Sequence, residues 1–335
     1  MSIFYRAGDL SIEVTCTDAA VADTIDARLG AMRSSPGAPP DLVVTIDGPE
    51  GVDEHEVLGP PTGVGRPIYD LPEGPICYHD ECGILFFDLP ARVRLRCEPA
   101  QGRIALAILS ADPFDVSMVT HHLLTVALHE TMKRFGRLPL HAAGLALGGR
   151  GVLISGTSGA GKSTLTLALV RGGFDFLSDD TVFLTEATDV AGTGTGTGPT
   201  APWISGFPDE VNVTTGTAGM IPELSPWVVA PLPAGRMKHS LRVEEAFGVT
   251  PLAGCIATAV IFPRVEDGPA PFARPLTAAE ALLELTPDLL LTDPVATQAH
   301  FDMLGRLART VPSYRFRPGR DLDAATDCIA ALVSP

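Results

Sequence analysis

Nine consecutive residues carry the densest chemistry in the chain: Gly156, Thr157, Ser158, Gly159, Ala160, Gly161, Lys162, Ser163 and Thr164. They satisfy the pattern G-x-x-x-x-G-K-[ST] in full. In such a loop glycines let the backbone curl until successive N–H groups point into one cavity, where they bond phosphate oxygens. A helix starting at the loop adds the partial positive charge of its N-terminus. Lys162 brings a mobile full charge suited to β- and γ-phosphates, and the Ser163 hydroxyl is suited to Mg2+. Lysine is scarce, occurring only as Lys133, Lys162 and Lys238, so a chance match to this pattern is rare. The competing reading is a Gly-rich turn with no ligand.

A phosphate loop of this kind needs a carboxylate for its metal. Ser178-Asp179-Asp180 closes the next expected strand, only 17 and 18 residues after Lys162. Two adjacent carboxylates at a strand end can divide the work, one on Mg2+ and one accepting a proton from an attacking hydroxyl. A turn cap is the plainer reading of the pair. Upstream, Leu138-Pro-Leu-His141-Ala-Ala-Gly144 places His141 near the first strand of the same sheet; on sequence alone a lone His among small apolar residues is more often a satisfied core group. The segment Arg236-Met-Lys238-His239-Ser-Leu-Arg242 is the main positive concentration outside the loop. Arg236, Lys238 and Arg242 would steady a transferred phosphate or hold an acidic substrate, and a solvated basic loop is equally consistent.

The elements that must position these groups read as α/β from Leu138 onward: a strand near Gly151–Ser155, a helix near Ser163–Arg171 stopped by Gly172-Gly173, and a strand near Phe174–Leu177. Thr277-Ala-Ala-Glu280 is a capping box opening a helix to about Leu285, with further helices over Pro294–Arg309 and Asp321–Val333. Residues Ala191–Pro199, a Thr-Gly repeat, read as a surface loop. Residues 1–110 read mostly as strands (Leu10–Val14, Leu42–Ile46, Gly83–Leu89, Arg92–Cys97, Ile104–Leu109) with one helix near Ala19–Met32. That is a smaller α+β domain with a docking or substrate-binding role, and 111–335 is the domain with the chemistry. Pro113–Phe135 has a helical period, with Val116, Val119, Leu123 and Val126 on one stripe. His121, His122, His129 and Glu130 are expected on its exposed face. His129-Glu130 is followed by Lys133, so the second His of a zinc-protease motif is missing.

Composition bounds the function classes. The 335 residues are 45% hydrophobic and 19% charged, which suits a buried core. The balance 24 − 40 = −16 repels nucleic acid and anionic membranes, so any phosphate must be held by a local device. No apolar run reaches membrane length, and Met1 to Leu10 lacks a secretory plan, which points to the cytoplasm. Six cysteines are too sparse for a disulfide framework. Cys77-Tyr-His-Asp-Glu-Cys82 with Cys97 can be drawn as a zinc site, but it reads better as a hairpin turn.

Leu140-His141-Ala, the loop from Gly156 to Thr164, and Leu177-Ser-Asp179-Asp180 resemble the HPr kinase/phosphorylase family, whose kinase domain is related in fold to phosphoenolpyruvate carboxykinases. The resemblance is strong over 138–184 and only in outline beyond. It implies ATP- and Mg2+-dependent phosphorylation of a serine-type hydroxyl. Asp179 would then be the general base, Ser163 and an Asp of the pair the metal ligands, and His141 a neighbour of the transferred phosphoryl group. The family's long glycine-containing signature after the kinase core is not recognisable here. The N-terminal region is closer to that of the HPr-kinase-like proteins of peptide tailoring, including lasso-peptide serine kinases. True HPr kinases are hexamers, so the resemblance raises a homo-oligomer. The leading expectation is a kinase acting on a hydroxyl of a peptide, protein or small metabolite. The alternatives are a carboxykinase-like reaction and a nucleotide-binding sensor without rapid turnover.

Overall fold

The computed structural model describes residues 1–37, 39–48, 59–110, 112–187, 200–207, 210–228, 238–266, 268–289 and 291–334. The Thr-Gly repeat and Arg236 lie outside them. The chain divides into two compact units, Met1–Arg137 with Leu291–Gln298, and Leu138–Leu290 with Ala299–Pro335.

In the first unit, strands β1 (Ser2–Ala7), β2 (Leu10–Cys16), β3 (Leu42–Asp47), β4 (Arg66–Leu71), β5 (Gly74–His79), β6 (Ile84–Leu89), β7 (Val93–Glu98) and β8 (Arg103–Ile108) form one sheet. Their order is β1-β2-β3-β8-β7-β6-β5-β4. Only β2–β3 and β3–β8 run parallel. Helix α1 (Ala19–Leu29), capped by the Asp18 side chain, makes the crossover from β2 to β3. Alternation along β2 sends Leu10, Ile12, Val14 and Cys16 to the buried face. Cys77-to-Cys82 belongs to the β5–β6 hairpin, and both cysteines are free. Among the described residues no group of three His, Cys, Asp or Glu side chains is arranged to hold a metal.

The division falls after Arg137 rather than after residue 110. The helical run stays with the first unit because its buried face is bonded to that sheet: Cys97 Sγ meets Thr131 Oγ1 at 3.2 Å, and Arg92 pairs with the buried Asp115. The run is also not one helix. It comprises α2 (Pro113–Ser117), a π-helical stretch over Met118–Leu123 and α3 (Leu124–Lys133). The exposed polar face expected for α3 is corrected as well. His129, Glu130 and Lys133 are all buried. Lys133 Nζ donates to Glu130 Oε1 at 2.7 Å, and the Tyr69 hydroxyl donates to the same oxygen at 3.0 Å. Amphipathic periodicity reports apolar stripes and is blind to an ion pair buried as a unit.

The second unit is a mixed sheet in the order β12-β10-β11-β17-β14-β13-β9, with β19 beside β17 and β18 beside β19. Its strands are β9 (Leu138–Leu140), β10 (Ala142–Leu147), β11 (Arg150–Ser155), β12 (Asp175–Ser178), β13 (Val182–Thr185), β14 (Trp203–Gly206), β17 (Cys255–Pro263), β18 (Phe272–Leu276) and β19 (Ser313–Arg317). A separate two-stranded ribbon joins β15 (Val211–Val213) to β16 (His239–Leu241). The expected alternation of strand and helix holds around β11 but not before it. β10 and β11 are an antiparallel hairpin turned at Gly148-Gly149, and only β11–β17 and β17–β19 are parallel. Helix α4 (Lys162–Arg171) follows β11. The remaining helices are α5 (Thr215–Met220), α6 (Val243–Phe247), α7 (Ala278–Leu285), α8 (Thr297–Thr310) and α9 (Leu322–Val333). One core packs Val152 and Ile154 of β11 against Leu165 and Leu169 of α4 and Ile329 of α9. The other packs Leu153, Val182 and Val260 against Leu285 of α7 and Leu304 of α8. The expected capping box is present: Thr277 and Glu280 bond each other reciprocally at the start of α7.

Two outcomes follow for stability. A methyl group at Gly206 of β14 would stand 2.0 Å from the Leu177 carbonyl oxygen, a backbone atom at the end of β12. Gly206→Ala is therefore expected to lower the unfolding free energy by about 3 kcal/mol in urea titrations. Lys133→Met leaves the Glu130 carboxylate buried without its cation. A loss of about 3–5 kcal/mol is expected there, and a change below 1 kcal/mol would show that the pair is not desolvated.

Candidate active site

Two interrupted strands build this site. One chain path runs β9, His141, β10; the other runs β12, Asp179-Asp180-Thr181, β13. β9 pairs with β13, with Leu140 opposite Val182, and β10 pairs with β12, with Gly144 opposite Ser178. The two breaks therefore face each other, which brings His141 to the acidic pair although 38 residues separate His141 from Asp179. His141 Nδ1 lies 3.2 Å from Asp180 Oδ1.

The phosphate loop enters from β11. Gly156, Gly159 and Gly161 take φ of 150°, 83° and 90°, values that suit residues without a side chain, and Gly161 caps α4 in the left-handed region. Helix α4 starts directly after the loop. Lys162 begins the helix. Its Nζ donates to the Gly156 carbonyl and stands 3.3 Å from His141 Nε2. The Ser163 hydroxyl donates to Asp179 Oδ2 at 2.8 Å. These groups open onto a cleft of about 340 Å3, also lined by Thr164 and Lys238.

The two carboxylates differ in environment. Asp180 is exposed, with 57% of its side chain open to solvent. Asp179 as a residue is only half-buried, yet its carboxylate is enclosed: Oδ1 is buried, and the hydroxyls of Ser163 and Thr166 stand beside the carboxylate. Burial pushes the Asp179 pKa up to about 6; the Ser163 and Thr166 hydroxyls and the Lys162 charge oppose that rise, and the Asp180 charge adds to it. A hard, oxygen-only pair of residues, Ser163 and Asp179, with the Asp180 carboxylate next to it, suits Mg2+, which binds through one or two carboxylates and keeps several waters.

Of the residues expected here from sequence, the cleft gathers His141, Lys162, Ser163, Thr164, Asp179, Asp180 and Lys238, with Thr157, Ser158, Gly159 and Gly161 of the loop. Arg242 is not among its lining residues; it faces Glu244 at 3.7 Å and Glu245 at 3.9 Å on α6. Sequence reading passed over Asn212, Thr214 and Thr217, which line the cleft from β15 and α5. Small polar residues in a Thr-rich stretch carry no motif, and only the ribbon β15–β16 brings them to the loop.

No family model matches the chain, and no curated protein matches it. Among solved structures, Hpr(Ser) kinase/phosphatase from Coxiella burnetii matches at 20% identity with a TM-score of 0.29, covering 58% of this chain and 87% of that one. A TM-score that low lends no weight to function. Among the described residues no helix is long and apolar enough to cross a membrane.

A carboxyl pKa raised from 3.8 to about 6 means that the folded protein binds more protons than the unfolded chain between those values. Its contribution to stability is therefore present at low pH and is lost as pH rises from about 4 to about 6. In metal-free buffer, Asp179→Asn is expected to stabilise the protein at pH 7 by roughly 2–3 kcal/mol and to leave it unchanged near pH 4. Chemical unfolding at both pH values checks this.

Proposed function

We propose that the second unit is an ATP- and Mg2+-dependent kinase that transfers the γ-phosphoryl group to a hydroxyl acceptor. The observation that carries this reading is the Ser163–Asp179 contact at the start of the helix that follows the glycine-rich loop with Lys162. A serine of a peptide or protein is the acceptor implied by the resemblance to HPr-kinase-like proteins, and a small metabolite is the other class. The first unit is assigned the docking of that acceptor on the sequence reading alone.

The chain's own residues divide the work as follows. Loop N–H groups and Lys162 hold the phosphates, which requires Lys162 to leave the Gly156 carbonyl for the ligand. Ser163 and Asp179 hold the metal, which when bound neutralises charge on the β- and γ-phosphates. The resemblance gives the base role to Asp179. The geometry favours Asp180, because Asp179 is enclosed against Ser163 while Asp180 faces solvent, from which an acceptor arrives. Asp180 takes the acceptor proton as the acceptor oxygen bonds to the γ-phosphorus and the bond to the bridging oxygen breaks, releasing ADP. His141 Nδ1 orients Asp180, and Lys238 adds positive charge at the cleft.

Asp180→Asn is expected to bind MgATP as the wild type does and to lose about a hundredfold or more in transfer from labelled ATP to an acceptor hydroxyl. Asp179→Asn should instead weaken the Mg2+-dependent part of nucleotide binding. Full transfer by Asp180→Asn would return the base role to Asp179. Tight MgATP binding by the wild type with no product on any acceptor would favour the sensor.

A further inference from the structure

The glycine-rich loop has two flanks, and the proposed transfer uses one of them. Ala142 of β10 stands opposite Ser155 of β11, which sets His141 and its partner Asp180 on one side of the loop's start. On the other side β17 runs parallel to β11, with Ile154 opposite Ile261, so Pro263 and Arg264 leave that strand where Gly156 leaves β11. A Cβ placed on Gly156 would lie 3.9 Å from Arg264 Nη1 and 3.9 Å from Pro263 Cδ. The guanidinium therefore abuts the bare face of the loop's first glycine. Arg264 is not among the residues that line the cleft of His141, Lys162 and the two carboxylates.

Three hydrogen bonds fix this arginine. Its backbone N–H donates to the Phe316 carbonyl of β19 at 2.8 Å. Nη2 donates to Glu284 Oε2 on α7 at 2.5 Å, and Arg315 Nη2 donates to the other oxygen of the same carboxylate. The Glu284 side chain is 14% exposed, and among the described residues it is the only carboxylate that pairs with either arginine. One negative charge thus serves two guanidinium groups. The surplus positive charge stands beside the loop in a chain of net charge −16. Nη1, the nitrogen on the Gly156 side, has no hydrogen-bond partner among the described residues. An arginine clamped along one edge and free along the other loses little freedom on meeting an anion.

The flank decides which phosphate it meets. The γ-phosphoryl group leaves on the side of His141 and Asp180, so the opposite side faces the part of the nucleotide that stays bound. We infer that Arg264 is a binding residue for the diphosphate that ATP and ADP share, held ready by Glu284. The inference rests on the nucleotide reading of the loop.

Calorimetric titration of the full chain with MgATP and with MgADP tests it in wild type, Arg264→Met, Arg264→Lys and Arg315→Met. Arg264→Met should weaken both nucleotides alike, by about tenfold, the loss of one charge-assisted bond. Arg264→Lys keeps the charge without the fork and should weaken both by a smaller, equal factor; it carries the test should the methionine variant fail to fold. Arg315→Met leaves the Arg264–Glu284 pair in place and should bind both nucleotides as the wild type does. Unchanged affinities in the Arg264 variants, a loss confined to MgATP, or an equal loss in Arg315→Met overturns the assignment and leaves the nucleotide reading standing. A wild type that binds neither nucleotide overturns both.

Discussion

An enclosed carboxylate organises the second unit. Asp179 receives a hydrogen bond from Ser163, has the Thr166 hydroxyl beside it and keeps Oδ1 buried. Taking a carboxylate out of water disfavours its charged form, a cost that protonation or a cation relieves. The raised pKa is the first answer, and a divalent cation is the second. The proposed chemistry uses the difference between this carboxylate and its exposed neighbour: one is tuned for a cation, the other is open to an incoming hydroxyl.

That difference is built by the backbone. Asp179 and Asp180 occupy a break between two short strands, and consecutive residues at such a break need not share an environment. The matching break at His141 supplies the partner of Asp180. Close packing leaves little play in the arrangement, since Gly206 of β14 admits no side chain against the Leu177 carbonyl just before the pair. The sheet thereby acts as a mount for His141 and the two carboxylates.

Lys162 is satisfied within its own loop. Its ammonium rests on the Gly156 carbonyl and near His141 Nε2, within the same loop it would later use to hold phosphate. The lysine is never stranded, and its transfer to a phosphate exchanges neutral acceptors for a charged one.

The glycine-rich loop was legible as a candidate phosphate site because the signal is local: glycines, one lysine and one hydroxyl within nine residues. The capping box at Thr277 was legible for the same local reason. Strand alternation revealed most of the first unit's sheet. The buried Lys133–Glu130 pair was not, because a charge satisfied by Tyr69, over sixty residues away in sequence, looks like surface until the partner is known. Asn212, Thr214 and Thr217 stayed silent because isolated hydroxyls and amides acquire meaning only by proximity. Local order along the chain thus determined what could bind phosphate. Which carboxylate is enclosed and which hydroxyls face the loop was decided by long-range strand pairing, since burial and distance are properties of the folded chain alone.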